Sequence, residues 1–286
     1  MEASPVSDFL AVMAHSSRAR VIDAKRRERE GALLTRARQD PAPPRLKLHD
    51  SGFDLIAEIK RRSPSGGRRE RVRHTRADVE KRTSAYVEGG ATVISVLTEP
   101  TAFGGSLQDL ARAAGCTSVP VLRKDFIVDP FQLIETRAAG AAGALVIVRL
   151  LTDEGLEEML QAAGELGLFV LLEAFDRRDL DRIGAVVGLA SSRGIQLLVG
   201  VNARDLSTLT VGRTRLRLFA EHGPTRVPRV AESGLRNEND IREAAKAGYC
   251  LALVGTALME AARPAALVRR LVDAGRGETR KRCTSV

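Results

Sequence analysis

From Asp54 onward, short apolar runs recur along the chain, separated by stretches whose apolar positions follow helical spacing. The runs cover residues 55–59, 92–97, 119–123, 144–148, 169–172, 197–201, 229–231 and 251–254. Several are apolar without alternation, the pattern of parallel strands covered on both faces. Between them, Leu156, Met159, Leu160, Ala163 and Leu166 repeat at intervals of three and four, as do Ile241, Ala244 and Ala245, and Leu267, Val268, Leu271 and Val272. Gly89-Gly90, Gly140, Gly167 and Gly248 stand where such helices end. Strict strand–helix alternation predicts a parallel α/β sheet. Eight units favour closure into a (β/α)8 TIM barrel over an open doubly wound sheet, and no G-x-G-x-x-G follows the first run.

The first 45 residues read differently. Val12, Ala19, Ile22 and Ala24 give loose helical spacing, and eight basic residues lie between Arg18 and Arg38. Pro41, Pro43 and Pro44 then break any helix. The expected organisation is a helical N-terminal extension with a Pro-rich connector (1–45), a barrel (46–275), and a basic tail (276–286) whose composition predicts disorder. With no Trp and two Tyr, the core has to be aliphatic.

Charge narrows the function classes. The net charge is +9, but Arg is interspersed with acids, which suits a solvated surface or the capture of small anions. Aromatic residues make up 3%, too few for stacking on bases, so no nucleic-acid partner is expected. Cys116, Cys250 and Cys283 are far apart, and His15, His49, His74 and His222 form no ligand pattern. No metal and no cofactor are expected. No apolar run approaches the roughly 20 residues of a membrane span. Residues 9–14 are too short for a signal core and follow acids, not a basic stretch, so the cytoplasm is the expected compartment.

Polar residues mark the carboxyl ends of the runs, where barrels build their active sites. Residues i and i+2 of a strand share a face, which pairs Glu58 with Lys60, Lys124 with Phe126, and Asn202 with Arg204. Glu173 ends the fifth run and Glu232-Ser233-Gly234 the seventh. Singly, each reads as a solvated loop residue, a turn or core. Recurrence at one end of five strands points to a shared mouth. Ser233-Gly234 and Gly255-Thr256 follow strands seven and eight, where barrels frequently hold phosphate on backbone N–H groups and a helix N-terminus. Gly234 and Gly255 would let the backbone approach that ligand. After the first run, Ser63-Pro64-Ser65-Gly66-Gly67 reads as a loop, and residues 60–76 hold eight basic residues against Glu70.

Several strings are specific. Ile56-Ala57-Glu58-Ile59-Lys60 with Ser63-Pro64-Ser65, and Ser95-Val96-Leu97-Thr98-Glu99 with Phe103-Gly104-Gly105-Ser106, resemble the indole-3-glycerol phosphate synthase family. So do Pro120-Val121-Leu122-Arg123-Lys124-Asp125-Phe126, Leu172-Glu173, Gly200-Val201-Asn202-Ala203-Arg204-Asp205-Leu206 and Ala231-Glu232-Ser233-Gly234. The resemblance runs in order from about Asp54 to Met259. It implies a cofactor-free carboxy-lyase of tryptophan biosynthesis acting on 1-(2-carboxyphenylamino)-1-deoxyribulose 5-phosphate, with N-terminal helices packed over the mouth. It implies Lys124 as general acid, Lys60 on anionic substrate, Glu173 in dehydration, and Glu58 tuning the lysines. Asn202, Arg204, Glu232 and Ser233 match positions that hold substrate, as do Ser63 and Pro64. Ser233, Gly234, Gly255 and Thr256 match the phosphate cradle, and Phe103 and Phe126 the aromatic wall. Other enzymes of the tryptophan pathway are candidate partners. The chain departs from the family at Ala174-Phe175, where His or Tyr is common, and at Pro100-Thr101-Ala102.

On chemical grounds, a lysine with its pKa lowered by a second cation suits ring closure at neutral pH. Two other readings compete: a different phosphate-binding barrel, such as a phosphoribosyl isomerase, and a basic nucleic-acid-binding protein. The first leaves Lys60, Lys124 and Glu173 unexplained. The second predicts a steep salt dependence of binding.

Overall fold

In a computed structural model, the eight apolar runs form eight parallel strands paired β1-β2-β3-β4-β5-β6-β7-β8 and back to β1, a closed barrel. Residues 5–50, 52–62, 76–204, 212, 214–224 and 226–283 are described. The strands are β1 (Asp54–Ile59), β2 (Val93–Leu97), β3 (Val121–Lys124), β4 (Gly143–Ile147), β5 (Phe169–Ala174), β6 (Leu197–Asn202), β7 (Arg229–Glu232) and β8 (Leu251–Val254). Two helices precede the barrel, α1 (Pro5–Arg27) and α2 (Glu30–Gln39). The outer ring among the described residues is α3 (Arg76–Glu88), α4 (Leu107–Gly115), α5 (Phe131–Ala138), α6 (Asp153–Glu165), α7 (Arg177–Ser192), α8 (Thr214–Ala220), α9 (Glu238–Lys246), α10 (Thr256–Glu260) and α11 (Pro264–Cys283).

The pleat sorts each strand into two environments. On β1, Leu55, Ala57 and Ile59 join the layer between strands and helices, while Ile56 enters the barrel interior. Val93, Leu122, Leu145, Leu171, Leu198, Val230 and Leu253 join Ile56 inside. Both faces are buried, which is why several strands read as apolar runs without alternation. Side-chain caps fix several helix starts: Ser106 accepts from the Asp109 N–H, Thr152 from Gly155 and Asp176 from Asp179. Such caps each contribute about 1 kcal/mol.

The N-terminal extension is fastened by charge and by packing. Arg20 donates to both oxygens of Asp125, at 2.8 and 3.1 Å, and Ser17 Oγ donates to the Phe126 carbonyl at 2.5 Å. Asp125 also receives the buried Arg123 and the Thr98 hydroxyl. Burial alone would raise the Asp125 carboxyl; Arg123 and Arg20 outweigh it and hold it well below the usual carboxylate range. After α2, Arg137 donates to the carbonyls of Asp40 and Pro41, and Gln196, at the amino end of β6, donates to that of Leu46. Leu46 joins the interior cluster, so the connector crosses the barrel's amino-terminal end.

The C-terminal end differs from the sequence expectation. α11 continues to Cys283, so the segment from Arg276, expected to be disordered, is helical there. Arg276 donates to the Phe53 carbonyl and to Asp54 at the start of β1, tying the basic segment to the barrel.

Candidate active site

At the carboxyl ends of the strands lies a cavity of about 340 Å³. Its walls include Glu58, Lys60, Phe103, Lys124, Phe126, Glu173, Asn202, Arg204, Glu232, Ser233, Gly234, Gly255 and Thr256. Thirteen candidates from seven βα units and the loops after them thus converge on one space. Ser63 and Pro64 lie outside the described residues, as does most of the basic loop. Pleat geometry accounts for the convergence: each inward position at a strand's carboxyl end points to the mouth.

The floor is a cluster of ammonium and carboxyl groups. Lys124 Nζ stands 3.5 Å from Glu173 Oε1 and 3.5 Å from Glu232 Oε2, while Lys60 Nζ stands 3.1 Å from Glu58 Oε1. The Asn202 amide donates to Glu173 Oε1 at 2.6 Å, and the Arg204 N–H donates to Asn202 Oδ1 at 2.9 Å. The expectation of a lowered Lys124 pKa is overturned. Burial would lower it, but Glu173, Glu232 and Glu58 outweigh burial and hold the ammonium well above the ordinary lysine range. Glu232 answers in the opposite sense. Burial, and then Glu173 beside it, push its carboxyl up to about 8. Glu232, expected as a substrate contact, lines the cavity as a buried member of the charge cluster, with Oε1 lacking a hydrogen-bond partner.

Ser233 and Gly234 both adopt positive φ, 69° and 77°, at the turn after β7. A serine there is held in a sparsely populated region. The first turn of α9 is capped from within, since Asn237 accepts from the N–H groups of Asn239 and Asp240, and just before it Asp240 accepts from the Arg236 N–H. At Gly255 the Glu58 carboxyl fills the space of the missing side chain.

Sequence reasoning missed part of the wall. Phe9 and Leu10 of α1, with Leu97, Leu145, Ile147, Phe175 and Leu253, add apolar lining to the cavity. Phe9 meets Phe126 edge-on at 6.0 Å and Phe103 lies 6.2 Å from Phe126, between ring centroids. Arg149 covers the Phe175 ring at 4.9 Å. Arg236 also reaches the cavity. It was findable as a cation two residues beyond Gly234, whereas Phe9 and Leu10 carry no local signal of their docking.

A family model described as "Indole-3-glycerol phosphate synthase" matches residues 12–271. The chain belongs to the indole-3-glycerol phosphate synthase family. That membership makes the protein a carboxy-lyase of tryptophan biosynthesis. A synthase of that name from Mycobacterium avium is 42% identical over 238 residues, 82% of this chain and 83% of that protein. Its namesake from Mycobacterium leprae (strain TN) is 43% identical over 228 residues, 80% of this chain and 79% of that protein. Among solved structures, 3-hexulose-6-phosphate synthase from Salmonella typhimurium superposes with TM-score 0.58 at 18% identity, covering 79% of this chain and 100% of that one. Thiamine phosphate pyrophosphorylase from Pyrococcus furiosus gives 0.54 at 16%, covering 80% and 98%. At such identity these two speak to the fold alone. Among the described residues no helix is long and apolar enough to cross a membrane.

Proposed function

We propose that the cavity converts 1-(2-carboxyphenylamino)-1-deoxyribulose 5-phosphate to indole-3-glycerol phosphate, CO2 and water, with Lys124 as the general acid. One observation carries this reading: the Lys124 ammonium lies 3.5 Å from Glu173 and from Glu232, in a cavity walled by Phe103 and Phe126. As the aryl carbon bearing the carboxylate attacks the ketone carbon, the carbonyl electrons move to oxygen, which takes a proton from Lys124. The raised Lys124 pKa keeps that proton in place at neutral pH, and the alkoxide forming on the substrate is a stronger base than an amine.

Attack leaves the ring as an iminium ion. The bond to the carboxylate breaks, its electron pair restores the ring, and CO2 departs. Lys60, oriented by Glu58, provides the cation for the anionic substrate before that loss. Dehydration then removes the new hydroxyl as water and a proton from the adjacent methylene. Glu173, positioned by Asn202, serves this step. Charges fixed in advance in a cavity shielded from water supply the main stabilisation.

The phosphate is assigned to the backbone of Ser233-Gly234 and Gly255-Thr256, with Arg204 and Arg236 as nearby cations. Ser63 and Pro64 keep their substrate-binding place on the family resemblance. The reading places the enzyme in the cytoplasm beside other tryptophan-pathway enzymes. The test is to mix purified protein with the carboxyphenylamino substrate, without added metal, and follow indole absorbance. The parent protein turns over, and Glu173→Gln loses at least about 10²-fold in kcat. Absence of indole from the parent would overturn the assignment, and near-parental rates in Glu173→Gln would remove Glu173 from the mechanism.

A further inference from the structure

Glycine inside or beside a strand weakens it unless another group needs the space. At the level of the charged floor this happens twice, and both times the group is a carboxyl. A Cβ on Gly200 would stand 2.0 Å from Glu232 Oε1 and 3.1 Å from Glu232 Cδ. One on Gly255 would stand 2.1 Å from Glu58 Oε1. Gly143 on β4 differs, since its space is taken by the Phe169 ring, as ordinary packing requires.

We infer that Gly200 is a positioning residue for the reaction: the notch it leaves in β6 seats the Glu232 carboxyl and thereby aims its other oxygen at Lys124. The inference rests on the reading of Glu232 as part of the reacting cluster. Gly200 is in register with Glu173 on β5 and with Val230 on β7, so it sits between the strands that carry the two glutamates. Glu232 Oε1 is buried and receives no N–H or hydroxyl donor, so the shape of the notch helps to seat that oxygen. The opposite oxygen, Oε2, faces Lys124 at 3.5 Å. Leu171 Cδ1 would lie 3.2 Å from the added Cβ, which leaves the Cβ itself little room to shift aside. Filling the notch therefore drives the carboxyl toward the cavity, where it meets Glu173 from β5 and Lys124 from β3, with Glu58 from β1 beyond. The displaced atom ends a flexible side chain, so the barrel tolerates the change while the carboxyl moves.

Steady-state kinetics with the carboxyphenylamino substrate on parent, Gly200→Ala, Glu232→Asp, the double variant and Glu232→Gln test this, with thermal melting alongside. Gly200→Ala lowers kcat by up to about 10²-fold, the scale of a 1 Å misplacement, with little change in KM. In the Glu232→Asp background the shorter carboxyl has left the notch, so adding Gly200→Ala changes kcat by less than about twofold. An equal loss on both backgrounds would overturn the notch. Loss in Glu232→Gln with parental kcat in Gly200→Ala would overturn the notch alone, whereas parental kcat in both would overturn the reading of Glu232 beneath it. If Gly200→Ala melts well below the parent, the double variant decides: recovered melting supports the notch and unrecovered melting overturns it.

Discussion

Replacing Glu232 by Gln removes a group that holds its proton far more tightly in the folded protein than in the unfolded chain. Burial and the neighbouring Glu173 raise its pKa from 4.5 to about 8. In the unfolded chain the proton leaves near the lower value. Between the two, the native state binds more protons than the unfolded state, so this group's contribution to stability declines as pH rises through the window. A tenfold preference for one protonation state is about 1.4 kcal/mol, so the full decline is on the order of 5 kcal/mol. Gln matches the protonated carboxyl in shape and does not titrate. Urea unfolding followed by circular dichroism at pH 5, 7 and 9 reads the difference. Parent and Glu232→Gln have similar midpoints at pH 5, and the variant becomes the more stable by several kcal/mol at pH 9, while its turnover falls. Parallel stability curves from pH 5 to 9 would refute the argument that the folded protein keeps this proton.

Lys124→Met removes the general acid and should lower kcat by about 10² to 10⁴-fold with the barrel intact by circular dichroism; a fully active variant counts decisively against the mechanism. The same substitution leaves Glu173 and Glu232 without their shared cation, so its stability deficit should grow toward alkaline pH in urea titrations. Arg20→Gln breaks the paired hydrogen bonds to Asp125, which retains Arg123 and Thr98, so a loss of about 2 kcal/mol is expected in the urea midpoint. KM should rise more than kcat falls, because Phe9 and Leu10 lose their seat over the cavity; an unchanged KM would show that α1 does not shape the site.

The strand cores were legible because a parallel strand buried on both faces has no polar alternation to conceal it. The boundary errors at the site share one direction. β3, β5, β6 and β7 each extend beyond the apolar run to include Lys124, Glu173, Asn202 or Glu232. A charged or amide residue looks like the end of a strand, yet in a barrel it is the last inward position of that strand. The Glu58–Lys60 pairing followed from the pleat alone. The direction of the Lys124 shift did not, because residue spacing says that charges meet and not which of them stand nearest. The Arg20–Asp125 link was illegible for another reason: its partners lie 105 positions apart, with no periodic relation between them. Gly200 passed as part of an apolar run, since the group that claims its space belongs to the neighbouring strand.

Ring closure has a consequence for how the polypeptide is made. β1 pairs with β8, beginning at Asp54 opposite Leu251. Translation at 5–20 residues per second means that roughly ten to forty seconds separate the emergence of these two partners from the ribosome. Through that interval the nascent sheet has open edges able to template pairing with another chain. α11, with Arg276 reaching back to Phe53 and Asp54, leaves the exit tunnel later still. A stop codon after β8 would thus yield a product that has every strand yet lacks the brace across its final seam, and the cell's proteases would meet it as a partly open ring.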